Sequence, residues 1–138
     1  MLGPPRIKET CLYVADLPRA FRFYSELFGY AAMASDDRFA ALSVAGQDVL
    51  LLFLEGGTVE PAVLPNGGMI PPHDGRGTTH LGLAVPKNEL AAWETRLAER
   101  GIAIESRVHW ERGGESIYFR DPDGHLLELA TPGLWATY

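Results

Sequence analysis

Thr79-His80-Leu81-Gly82-Leu83-Ala84-Val85 alternates: Leu81, Leu83 and Val85 fall on one side of an extended chain, His80, Gly82 and Ala84 on the other. That is the period of a strand with one apolar face. An amphipathic helix is expected next, from about Asn88 to Arg100, with Leu90, Trp93 and Leu97 on one face and Gly101 as its stop. The same order stands near the start. Glu9-Thr10-Cys11-Leu12-Tyr13-Val14 alternates, Asp16 is a plausible N-cap, Pro18 suits the first helical turn, and Phe21, Tyr24 and Phe28 recur at helical spacing before Gly29. Three strand-like stretches follow each helix: about 30–34, 39–44 and 49–54 in the first copy, and 103–107, 116–120 and 125–130 in the second. The chain thus reads as two βαβββ modules, an α+β fold with a curved mixed sheet. The match lies in the pattern, since residue identities mostly differ.

With 138 residues, the chain has the length of one domain. Module one spans about 6–55, a linker about 56–77 and module two about 78–131. The linker holds six glycines and four prolines in 22 residues, and reads first as a connection and second as a lid. A net charge of −6 and a pI near 5.1 argue against nucleic acid and anionic membrane as partners, because both select a basic face. A small-molecule substrate is the expected partner. The longest apolar run, Val49 to Leu54, is far too short to span a bilayer. One cysteine, Cys11, excludes an internal disulfide, and with no secretory signal at the start the expected location is cytoplasmic.

Chemistry is expected where the two copies correspond. Glu9 opens the first strand, His80 opens its counterpart, and Glu128 interrupts Leu126-Leu127-Leu129 near the end. Taken singly, Glu9 reads as a solvated charge and His80 as a hydrogen-bonded core histidine. Glu128 is different, because a carboxylate among leucines is costly unless it is paired or coordinated. All three lie on strand faces turned away from the helices, so packing the modules as equivalents would bring them to one cleft floor. One imidazole and two carboxylates suit a divalent ion such as Zn, Ni, Co, Mn or Fe(II). Cys11 and Tyr13 share the face of Glu9, and Tyr118 and Arg120 border the same cleft; these four are the candidate substrate contacts. His73, His109 and His125 sit in loop-like positions where solvation is expected, and Trp110 and Trp135 are placed as pocket walls or core edges.

The stretches 12–24 (Leu12-Tyr13-Val14-Ala15-Asp16-Leu17-Pro18 onward), 79–85 and 118–129, the last with its Asp121-Pro122-Asp123-Gly124 turn, resemble the vicinal oxygen chelate superfamily. That group includes glyoxalase I, extradiol dioxygenases, and fosfomycin- and bleomycin-resistance proteins. The resemblance implies a glyoxalase-like fold, a homodimer, a metal held at Glu9, His80 and Glu128, and a substrate that chelates the ion through neighbouring oxygens. Lyase or isomerase chemistry is the leading expectation, with Glu9 or Glu128 as the proton acceptor. The rivals are a bleomycin-resistance-like binding protein without catalysis and an extradiol-type dioxygenase. A strict glyoxalase I would draw a further ligand from the strand at 49–54, which offers only Leu50, Leu51 or Leu52. The fosfomycin-resistance pattern places an arginine soon after the final glutamate, and 129–138 carries no cation.

Overall fold

The computed structural model describes residues 1–138 and divides into two compact units, Met1–Arg76 and Gly77–Tyr138. In the first, β1 (Glu9–Val14) leads into α1 (Leu17–Phe28), followed by β2 (Ala31–Ser35), β3 (Phe39–Val44) and β4 (Asp48–Leu54). The sheet order is β1-β4-β3-β2, with β1 parallel to β4 and the other pairs antiparallel. The segment after β4 folds back as a small hairpin of β5 (Ala62–Val63) and β6 (Met69–Ile70).

The second unit repeats the plan. It runs β7 (His80–Ala84), a single 3₁₀ turn at Lys87–Glu89, α2 (Leu90–Glu99), β8 (Ser106–His109), β9 (Glu115–Arg120) and β10 (Leu126–Ala130). Its order is β7-β10-β9-β8, again with one parallel pair between the first and last strands. Two four-stranded mixed sheets of identical topology are the doubled βαβββ pattern of the sequence.

Local chemistry explains the helix bounds. The Asp16 carboxylate accepts from the Arg19 amide at 3.0 Å, and Gly29 takes a left-handed conformation (φ 72°) at which its amide closes on the Ser25 carbonyl at 2.9 Å. The buried side of α1 is Leu17, Ala20, Tyr24 and Leu27. Phe21 and Phe28 are only half-buried, so the apolar stripe is rotated from the Phe21–Tyr24–Phe28 face expected from spacing. In α2 Leu90 and Leu97 are buried, whereas Trp93 is half-buried with the Arg96 guanidinium 5.2 Å over its ring. An indole shielded by an arginine stem does not need the core.

Each sheet is apolar on one face. Leu12, Val14, Leu42, Leu50 and Leu52 are buried in the first unit; Ile117, Phe119, Leu127 and Leu129 are buried in the second. The last of the expected differences is β8, which forms at 106–109 and not at 103–107, because its position is set by pairing Ser106 opposite Tyr118 and His109 opposite Glu115. The C-terminal Tyr138 hydroxyl donates to the Val85 and Ala130 carbonyls (3.2 and 3.0 Å), closing the ends of β7 and β10.

Tyr30, stacked on Phe28 with ring centroids 5.2 Å apart, has its phenol pushed up to about 12 by burial. Since the unfolded chain releases that proton near pH 10, stability present below pH 10 drains away as the pH rises toward 12. Allowing for residual solvent contact, the loss is about 1–2 kcal/mol. Urea unfolding at pH 8 and pH 11 should show this drop in the wild type, and Tyr30→Phe should remove that part of it.

Candidate functional site

Parallel pairing in the second unit places Leu126 beside His80 and Glu128 beside Gly82. His80 and Glu128 therefore share the face opposite Leu127 and Leu129, offset by one pleat. His80 Nε2 lies 3.2 Å from Glu128 Oε1. The other ring nitrogen, Nδ1, is 2.9 Å from the Leu126 carbonyl. A carbonyl only accepts, so Nδ1 carries a proton there, and Nε2 is the ring nitrogen that faces the carboxylate. A ring nitrogen and a carboxylate oxygen at that distance are joined by a proton on Nε2 or by a metal ion between them.

Glu128 is 6% exposed, confirming in the fold the oddity of its leucine-flanked position. Its second oxygen, Oε2, accepts from the Ser116 hydroxyl, and Ser116 Oγ in turn accepts from Trp110 Nε1 at 2.8 Å. The chain Trp110–Ser116–Glu128 fixes the carboxylate so that Oε1 is the atom presented to His80. Tyr118 stands directly across the β9–β10 ladder from Glu128, with its ring centroid 6.3 Å from that of His80. Desolvation first, and then the Glu128 charge and hydrogen bond, hold its phenol above the usual range, so it stays a neutral donor. Arg120 is engaged elsewhere: Nε and Nη2 bind Glu105 at 2.8 and 3.2 Å, and Nη1 donates to the Gly124 carbonyl at 3.1 Å. The pair lowers the Glu105 pKa through the Arg120 hydrogen bond.

In the first unit Glu9, Cys11 and Tyr13 share the outward face of β1, as the alternation predicted. Glu9 and Cys11 border a cavity of about 710 Å³ floored by Phe39, Leu51 and Phe53. Cys11 is exposed there. The Tyr13 hydroxyl meets His73 Nδ1 at 2.5 Å, so His73 is not a solvated loop histidine. His125 also departs from expectation: it is 1% exposed, with Nδ1 accepting from the Thr79 amide at 2.9 Å. Asp121 is buried and accepts from the Asp123 and His125 amides, which makes the Asp-Pro-Asp-Gly turn a scaffold for β10. His109, on the surface, pairs with Glu115 at 3.3 Å, and Trp135 is largely exposed.

The repeat also sets which residues correspond. Glu9 and His80 each open the strand that pairs in parallel with the last strand of their unit, so Cys11 corresponds to Gly82 and Leu51 to Glu128. The first unit thus has a leucine where the second has its buried glutamate. Within the single chain no group of three His, Cys, Asp or Glu side chains forms that could hold a metal ion. His80 with Glu128 is the pair that the fold assembles. Ser116 escaped the sequence reading, and Trp110 was placed there only as a pocket wall or core edge; the alternation of β9 puts Ser116 on the Glu128 face, which was the one available signal.

A family model described as Glyoxalase/Bleomycin resistance protein/Dioxygenase superfamily matches residues 6–129, and the chain belongs to that superfamily. Among curated relatives, catechol-2,3-dioxygenase of Bacillus subtilis is 31% identical over 86% of this chain, which spans 38% of that protein's length. The metallothiol transferase FosB of Shouchella clausii is 30% identical over 91% of this chain and 79% of its own. Among solved structures, a lactoylglutathione lyase from Agrobacterium tumefaciens superposes with a TM-score of 0.86 at 31% identity, covering 98% of this chain and 99% of that one. No helix is long and apolar enough to cross a membrane.

Removing the hydroxyl in Ser116→Ala strips the buried carboxylate of one donor and should cost about 1–3 kcal/mol of unfolding free energy. Trp110→Phe should cost less. Because both act through one chain of hydrogen bonds, urea denaturation of the double variant should show less than the sum of the two losses.

Proposed function

We propose that the protein is a metal-dependent enzyme of the glyoxalase type, a lyase or isomerase acting on a small substrate that presents two neighbouring oxygens. The observation that carries this is the facing of His80 Nε2 and Glu128 Oε1 at 3.2 Å with Nδ1 committed to a backbone carbonyl. The donors fit a divalent ion. Two adjacent ligands bonded at about 2.0–2.2 Å to one centre stand about 3 Å apart, and the histidine has the outer hydrogen bond that metal-ligating imidazoles ordinarily make. With Glu9 as third ligand, two carboxylates balance the double charge and the oxygen-rich set suits Zn, Ni, Co, Mn or Fe(II). Glu9 comes from the same chain or from a second copy, and the working form is a homodimer.

When bound, the ion would supply Lewis acidity that polarises the substrate oxygens, worth several kcal/mol of barrier. The chain's own residues would do the rest. The Trp110–Ser116 pair holds Glu128 in place, Tyr118 offers a neutral hydroxyl beside it, and Glu9 or Glu128 accepts the proton that moves in an isomerisation. The lyase-titled structure, similar over nearly the full length of both chains, supports this choice over the dioxygenase reading. A one-histidine set also lies further from the two-histidine, one-carboxylate site used for oxygen activation.

Protein purified without chelator should contain about one divalent metal per chain by elemental analysis. Glu128→Ala should fold, lose that metal and fall by roughly a thousandfold against a panel of dicarbonyl and catechol-like compounds. A metal-free protein that still binds such compounds would instead be a binding protein. Co-refolded Glu9→Ala and His80→Ala chains, each inactive alone, should recover about a quarter of wild-type activity if sites are completed across a two-fold dimer. A mixture that stays inactive would place Glu9 outside the partner's site.

A further inference from the structure

The first unit contains a chamber that the metal chemistry leaves unexplained. The segment after β4 does not leave the sheet but turns back over it. Its hairpin supplies Val63, Leu64 and Ile70 as a wall facing the Phe39, Leu51 and Phe53 floor, around a space of about 710 Å³, within the range of small-molecule sites. The segment is fastened at its far end. His73 exchanges hydrogen bonds with Thr58, its amide to the Thr58 carbonyl at 3.0 Å and its carbonyl from the Thr58 hydroxyl at 2.5 Å, while its ring takes the Tyr13 hydroxyl and packs 4.6 Å from Phe53. Gly75 then crosses the Tyr13 ring so closely that a Cβ would lie 2.4 Å from it. Only glycine allows that crossing.

Two features define what the chamber would take. Its wall keeps apolar groups in solvent, with Val63 at 74% and Ile70 at 47% exposure, which costs free energy unless something apolar covers them. Its charged lining is weighted to acid, with Glu9, Asp36 and Glu60 against Arg38, so an anion is disfavoured. We propose that this chamber holds the apolar, uncharged body of the ligand, an aromatic or branched aliphatic group, with the segment 56–76 as its enclosing wall and the Tyr13–His73 contact as its clasp. The inference rests on the reading above in placing the ligand's oxygen end toward Glu9, at the rim. It names a substrate class: neutral molecules with a sizeable hydrophobic portion, in preference to small anions such as phosphonates.

The test uses the full-length protein and two fluorescent probes, neutral N-phenyl-1-naphthylamine and anionic 8-anilinonaphthalene-1-sulfonate. The neutral probe should bind saturably at about one per chain and more tightly than the anion. Val63→Glu and Ile70→Glu, both exposed positions away from the core, should each weaken it about tenfold while leaving circular dichroism and metal content unchanged. His80→Ala should lose metal yet bind the probe as the wild type does, which separates this inference from the metal assignment. Absence of saturable binding, tighter binding of the anion, or unchanged affinity in both glutamate variants would overturn it. So would a wild-type dimer that excludes the probe and dissociates in Ile70→Glu, because the hairpin would then be a contact between copies.

Discussion

One hydrogen bond gives the candidate site its direction: Nδ1 of His80 donating to the Leu126 carbonyl. Without it the ring of a half-exposed histidine at a strand end is free to rotate and to present either nitrogen. With it, Nε2 is the nitrogen aimed at a carboxylate that is itself nearly buried. The bond depends on the parallel pairing of β7 with β10, which places the His80 ring beside the Leu126 backbone. A slip of one residue would turn Glu128 to the apolar side of its sheet. Register, tautomer and ligand geometry are therefore one constraint.

The surrounding residues act to keep an expensive group in place. A carboxylate at 6% exposure is stable only while its oxygens are satisfied. The Ser116 hydroxyl satisfies one oxygen and is itself held by Trp110 Nε1. The Asp121 and His125 contacts hold the turn before β10, so the strand that carries Glu128 enters at a fixed height. The two units divide the labour unequally: the second concentrates buried polar groups around one glutamate, while the first has Leu51 at the corresponding place and an apolar chamber beside it. Duplication followed by divergence at a few positions on one face would produce this asymmetry without altering either sheet.

Much of this was legible in the sequence, for identifiable reasons. Asp16, Pro18 and Gly29 act within a helical turn of themselves, so α1 could be bounded without tertiary knowledge, and the Asp-Pro-Asp-Gly turn likewise. The burial of Glu128 followed from its leucine neighbours and from strand alternation. The failures share a cause. His73 and His125 take their partners from Tyr13 and Thr79, which are 60 and 46 residues away, and no local signal announces such a contact. The placement of β8 depends on its pairing with β9, and the stripe of α1 on which neighbours bury Leu17 and Leu27. Arg120 shows a further limit: alternation gave the correct face, but its ion pair with Glu105 decides where its charge is used.

The central claim is that His80 and Glu128 are two ligands of one divalent cation. Crystals grown with cobalt and measured at its absorption edge address it directly. An anomalous peak within about 2.2 Å of both His80 Nε2 and Glu128 Oε1, with Glu9 completing the set, is the predicted result. Well-ordered crystals without a peak there, or with the ion bound only at other side chains, would contradict it.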